Sequence, residues 1–222
     1  MPTDPEQLIQ EAVQMHSASK FDKGLKKAEE ARKLFLKRGQ NDRAIEALRV
    51  MADCALNARD FSKAGKLYED LRRDAVGTAS PLYQSAAQWG FGQIALRKMD
   101  YPSAVGAFKA GLDLAKKAAS KWYTAWSALG LATAYRGTGQ IADAQTLLKA
   151  AASDFHAIDQ PKFASWAEKA LADIGGDSTS PPGKDMRIWL CPMCAAKLPP
   201  AQAELVRKGK LATCTYCGTS IG

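Results

Sequence analysis

Histidine is almost missing from this chain of 222 residues: His16 and His156 are the only two. Neither has a cysteine, an aspartate or a second histidine at a ligand spacing. Asp154 stands two residues before His156 and would point elsewhere on a helix. Imidazole metal centres and imidazole general bases are therefore not the expected chemistry. Long apolar runs are also lacking, and nothing approaches the roughly 18 residues of a membrane span. Residues 1–20 carry Asp4, Glu6 and Glu11 without an apolar core segment, so no signal peptide is read there. The expected setting is cytoplasmic and reducing, where paired cysteines are metal ligands before they are disulfides. Catalytic frames are missing as well: no glycine-rich phosphate loop, no paired carboxylates in a recognisable frame and no nucleophile–base motif. These absences predict a protein that is not an enzyme.

What is present is ordinary globular composition, with 46% hydrophobic and 24% charged residues, and much of the apolar part is alanine, which favours helix. The net charge is +8, and residues 183–222 hold six basic and two acidic side chains, so the C-terminal segment is the more positive per residue. That balance favours anionic partners, weakly.

The main pattern is an internal repeat. Phe21, Phe61, Tyr101 and Ile141 stand 40 residues apart. Three residues after each comes a small one: Gly24, Ala64, Ala104, Ala144. Seven after come Ala28, Tyr68, Phe108 and Leu148, and ten after come Ala31, Leu71, Gly111 and Ala151. Those offsets lie on one helical face. A second helical pattern precedes each start: Leu48, Met51, Ala52 and Ala55; then Phe91, Gly92 and Ala95; then Ala128, Leu131, Ala132 and Tyr135. Each repeat is thus a helix pair with a short turn, as at 97–100 and 136–140. Residues 4–20 supply the first helix, and Phe163, Trp166, Ala167, Ala170 and Leu171 mark a capping helix over 161–174.

On these residues, above all Phe91, Gly92, Tyr101, Ala104 and Phe108 and the run from Leu131, Ala132 and Tyr135 to Ile141, Ala144 and Leu148, the chain resembles the tetratricopeptide-repeat family over about residues 4–175. The period of 40 exceeds the family's usual length of about 34 and is similar to that of its long-helix, SNAP-type relatives. The first repeat fits least well, with Gly24 and Ala28. The resemblance implies an all-α helical-repeat solenoid of about four helix pairs plus a capping helix. It implies a concave face lined by the first helix of each pair, where a protein or peptide partner binds. Carried over position by position, the groove candidates are Arg49, Asp53, Trp89, Gln93, Arg97, Trp126, Thr133 and Arg136. The Lys/Asn constellation by which some members clamp a C-terminal carboxylate is not present.

Other tempting residues have plainer readings. Cys54 reads as a small packing residue between helices. Trp89, Trp122, Trp126 and Trp166 read mostly as interhelix packing. The basic residues between Lys20 and Arg38 read as a solvated face, interspersed with Glu29 and Glu30.

Residues 175–183 hold no apolar side chain and are rich in Gly, Ser and Pro, so the expected division is a helical-repeat domain over 1–175, a linker over 176–185 and a second module over 186–222. That module carries Cys191, Cys194, Cys214 and Cys217, two Cys-x-x-Cys turns separated by nineteen residues. Zinc takes four sulfur ligands at tetrahedral corners, and each such turn supplies one edge. The same thiolates could hold iron or form a redox pair. A catalytic zinc is disfavoured because no open position remains. Strands are expected at 187–190, 210–213 and 219–221, and a short helix from Pro199 to Gly209. The module resembles a zinc ribbon, with Ala195 where that family usually has glycine. A segment of this size has too little core to fold alone, so one structural Zn²⁺ would supply its folding free energy.

The functional expectation is a non-enzymatic adaptor or scaffold: a groove for protein or peptide, and a zinc ribbon held at a distance on its linker as a second contact. A nucleic-acid-associated factor of transcription or translation is the alternative, with Arg207, Lys208 and Lys210 as anion contacts. Only Trp189 and Tyr216 offer stacking there. A SNAP-like membrane-traffic adaptor is a third reading, by analogy of repeat length. Oligomeric state is left open.

Overall fold

The computed structural model describes residues 4–176 and 190–221. Nine helices of nearly equal length come first: α1 (Pro5–Ser17), α2 (Phe21–Lys37), α3 (Asn41–Asn57), α4 (Phe61–Gly77), α5 (Pro81–Arg97), α6 (Tyr101–Lys117), α7 (Lys121–Thr138), α8 (Ile141–Ala157) and α9 (Pro161–Gly176). The four apolar residues spaced by 40 open α2, α4, α6 and α8, as the repeat predicts. No helix among the described residues is long and apolar enough to cross a membrane.

Each helix packs on the next. In addition α1 touches α3, α3 touches α5 and α5 touches α7, so these helices form the inner layer and the even-numbered ones lie outside. The layers differ in sequence accordingly. In α7 every residue from Ala125 to Arg136 is buried, whereas α4 buries only Ala64, Tyr68, Leu71 and Ala75 on one stripe. Those four continue the offsets of three, seven and ten from Phe61 to a fourth turn.

Tyr68 and Phe108 are fully buried because the inner layer supplies glycine opposite them. A Cβ on Gly90 would come 2.3 Å from the Tyr68 ring; one on Gly92 or Gly130 would come 2.6 or 2.4 Å from the Phe108 ring. Phe108 is thus held between α5 and α7, where only backbone leaves room for a ring.

The turns repeat with half the sequence period. Ser19, Gly39, Arg59, Ala79, Met99, Ala119, Gly139 and Asp159 all take positive φ, one every 20 residues. The residue after each donates its amide to a carbonyl five positions back, as Asp60 does to Ala55 and Ser120 to Ala115. This is the left-handed helix stop that satisfies terminal carbonyls. Only two of the eight are glycine, so the other six carry a strained backbone. Several starts are capped: Asp60 and Asp100 accept from the amides of Lys63 and Ser103, and Ser120 accepts from Tyr123.

The second module contains α10 (Pro200–Arg207) and a two-stranded antiparallel sheet, β1 (Ala212–Thr213) with β2 (Ser220–Ile221). The expected strand at 187–190 is represented by Leu190 alone, in an isolated bridge to Lys197; residues 187–189 lie outside the described residues. The stretch read as linker, apart from Gly176 at the end of α9, also lies outside them.

Candidate metal centre

The two Cys-x-x-Cys turns have the same local build. The amide of Ala195 donates to the Cys191 carbonyl, and that of Gly218 to the Cys214 carbonyl, both at 2.9 Å. In return the Cys191 amide donates to Ala196 and the Cys214 amide to Thr219. The residue after the second cysteine of each turn is left-handed: Ala195 at φ 61° and Gly218 at φ 75°. Ala195 therefore takes the conformation that glycine adopts freely, and its buried methyl packs in the core.

These turns bring four sulfurs together. All lie within 4.8 Å of one another, with Cys191 to Cys217 at 3.6 Å and Cys194 to Cys214 at 3.7 Å. A tetrahedron with metal–sulfur bonds of about 2.3 Å has edges of about 3.8 Å. The cluster fits one metal ion, and no pair is at disulfide distance. Hydrogen bonds from Cys191, Cys194 and Cys217 hold the Cys214 thiol far below its ordinary range, while bonding to Cys194, Cys214 and Cys217 pushes Cys191 up. Four thiolates this close repel one another, so all four can ionise only around a cation. Cys217 Sγ also lies 3.2 Å from Thr219 Oγ1.

The module is not held at a distance. Cys191, Cys194, Ala195 and Ile221 belong to the same apolar core as Leu96 and Tyr135 of the helical array. Arg136 of α7 donates from Nη1 to the Ala195 carbonyl, and the Lys197 amide donates to Asp173 of α9 at 3.2 Å. A cleft of about 80 Å³ runs between the two parts, with Arg59, Arg97 and Tyr101 on one wall and Leu190, Pro192 and Ile221 on the other. The expectation of a ribbon presented away from the scaffold is corrected here. The module carries enough apolar surface to be covered, and the inner layer covers it.

The groove candidates separate into three groups. Arg97 and Arg136 face the cysteine module. Arg97 is pinned by donating to the Leu56 carbonyl at 3.1 Å and to Asn57 Oδ1 at 3.2 Å. Burial lowers its guanidinium to about 10, still charged at neutral pH, against the opposing pull of Tyr68 and Cys191. Arg49 and Asp53 form a second group, an ion pair at 2.5 Å, with Glu46 on Arg49 and the Tyr68 hydroxyl donating to Asp53. Trp89, Gln93, Trp126 and Thr133 form the third. Trp89 and Trp126 meet edge to face at 6.2 Å. Trp126 also meets Trp122, Phe155 and Trp166 edge to face and Phe163 at a tilt. The Thr133 hydroxyl donates to the Leu129 carbonyl. Trp89 Nε1, Trp126 Nε1 and Gln93 Oε1 are buried without a hydrogen-bond partner.

Of the anion contacts, Arg207 and Lys208 are both paired with Glu204, at 2.7 and 3.2 Å, and together they pull its carboxyl down to about 2. Lys210 is exposed. The basic cluster is therefore partly neutralised on its own helix. Cys54 is wholly buried, its thiol raised to about 12 by burial, and it packs where a Cβ on Gly24 would come within 3.0 Å of its sulfur. Arg59, which sequence alone did not single out, sits at a left-handed turn position and lines the cleft.

No protein-family model and no curated protein sequence matches the chain.

Proposed function

We propose that this protein is a non-enzymatic adaptor of tetratricopeptide type, whose inner helical layer binds a protein or peptide partner and whose C-terminal module is a zinc ribbon. The single observation that supports the metal reading most is the sulfur cluster, with all four members within 4.8 Å and three of them buried. Zinc is the ion suited to a closed set of four thiolates. With four protein ligands the ion has no open position, so it holds the module together and carries no reaction.

Binding by the array is supported by Trp122, which lies in the first turn of inner α7 and is 41% exposed beside Trp126. An aromatic ring left in solvent gains free energy when a partner covers it.

A photo-crosslinking residue at Trp122, on inner α7, tests this against one at exposed Lys66, on outer α4. The adaptor reading expects partner crosslinks from position 122 and none from 66. Equal labelling at both positions contradicts it.

A further inference from the structure

Resting on the metal reading above, we infer that the metal centre is completed by the helical array, with Arg97 and Arg136 as positioning residues that offset the charge of the thiolates and fix the module in place. A divalent ion in four thiolates leaves a formal charge of −2. In this protein that charge is not on the surface. Cys191, Cys194 and Cys214 are at most 1% exposed and share the core that joins the module to α5, α7 and α9. A buried charge of this kind is costly unless cations or hydrogen-bond donors face it.

Among the described residues of the module, Arg207 and Lys208 are engaged by Glu204, and the Lys197 and Lys210 side chains are exposed. The array supplies the alternative from two sides. Arg97 shares the cleft wall that faces Leu190 and Pro192, the residues flanking Cys191. Its two bonds to Leu56 and Asn57 hold the guanidinium plane still. Arg136, 4% exposed, donates to the carbonyl of Ala195, whose amide in turn donates to the Cys191 carbonyl. It therefore grips the cysteine turn through its backbone. Arg59 adds a third positive group beside Arg97.

Reciprocity follows. If the loaded centre binds the array better than the empty one, docking strengthens metal binding by the same factor. A docked module also covers the Arg97–Arg136 end of the inner face, so metal occupancy and access to that part of the groove are coupled.

The test is a competition between the full chain and a chromophoric chelator for Zn²⁺, with circular dichroism to confirm the array. Arg97→Met and Arg136→Met should each weaken Zn²⁺ binding by about 10- to 100-fold, the range for lost outer-shell contacts. Arg97→Lys, which keeps the charge, should recover most of the loss. Arg32→Met, which breaks the remote Arg32–Asp74 pair on the outer layer, should bind as wild type. If Arg97→Met loses its helices, Arg136→Met decides. Wild-type affinity in both Met variants that keep their helices, or an equal loss in Arg32→Met, overturns the inference alone. A wild-type chain that takes up no Zn²⁺ overturns the metal reading and the inference with it.

Discussion

Arg136 on the seventh helix hydrogen-bonds the backbone carbonyl of Ala195, the residue that follows Cys194. One side chain of the repeat array thereby holds the turn that orients two of the four sulfurs. Ala195 is left-handed and fully buried, so the same residue combines local strain with tertiary packing. A left-handed alanine costs about 1–2 kcal/mol, and burying its methyl against the array returns about 0.8 kcal/mol. The contact with Arg136 helps to offset the rest.

Removal of metal should unfold the module and spare the array. The module's helix α10 has no buried residue and its strands are two residues each, so little besides the sulfur cluster and docking holds it. Hydrogen exchange after chelation should show lost protection over residues 190–221 and unchanged protection over α2 to α8. Protection that persists in both regions would mean that the module folds without its ion.

Glycine replacements should split by position. Gly130→Ala forces a Cβ into the Phe108 ring and should destabilise by roughly 1–3 kcal/mol despite alanine's better helix propensity. Gly106→Ala, on an exposed helix position with nothing within 4 Å, should instead stabilise by roughly 0.5–1 kcal/mol. Urea titration distinguishes the two, and equal signs would refute the packing described for Phe108.

The strained turns make the opposite forecast for introducing glycine. Ala119 sits at φ 51° after α6. Ala119→Gly relieves a cost of about 1–2 kcal/mol while giving the unfolded chain more freedom, for a net gain of about 0.5–1 kcal/mol. A lower thermal midpoint for this variant would contradict the left-handed assignment.

His16 should titrate low. Asn57 Oδ1 accepts from Arg97, which directs Asn57 Nδ2 at His16 Nε2, 2.8 Å away, so the imidazole must accept there and be neutral. Burial depresses its pKa below the ordinary value, with Asp53 opposing. A lowered folded pKa means that the unfolded chain binds the proton first as pH falls. The contribution of neutral His16 to stability is thus full above about pH 6.5 and declines below it. An imidazole chemical-shift titration should place its midpoint below 6.5; a midpoint at or above that value would contradict the network.

Much of the array was legible in the residues themselves. Phe21, Phe61, Tyr101 and Ile141 announce four helix starts because an apolar face must recur with the repeat that buries it. The left-handed turns were half hidden, since Gly39 and Gly139 signal them but Arg59, Ala79 and Met99 do not. Their conformation is imposed by helix packing on both sides and not by local preference. The cysteine ligands were readable because metal geometry demands their spacing. Docking was not readable. Arg97 and Arg136 have the pattern of groove residues, and nothing near Arg136 in the chain points to a turn 59 residues further on, nor near Arg97 to one farther still.

The central claim is that Cys191, Cys194, Cys214 and Cys217 hold one zinc ion in this chain. Elemental analysis with native mass spectrometry of the purified 222-residue chain tests it most directly. The account predicts one zinc per chain, lost in a Cys194→Ser/Cys214→Ser double variant. A protein that carries no metal and shows the mass of a chain with disulfides among these cysteines would contradict it.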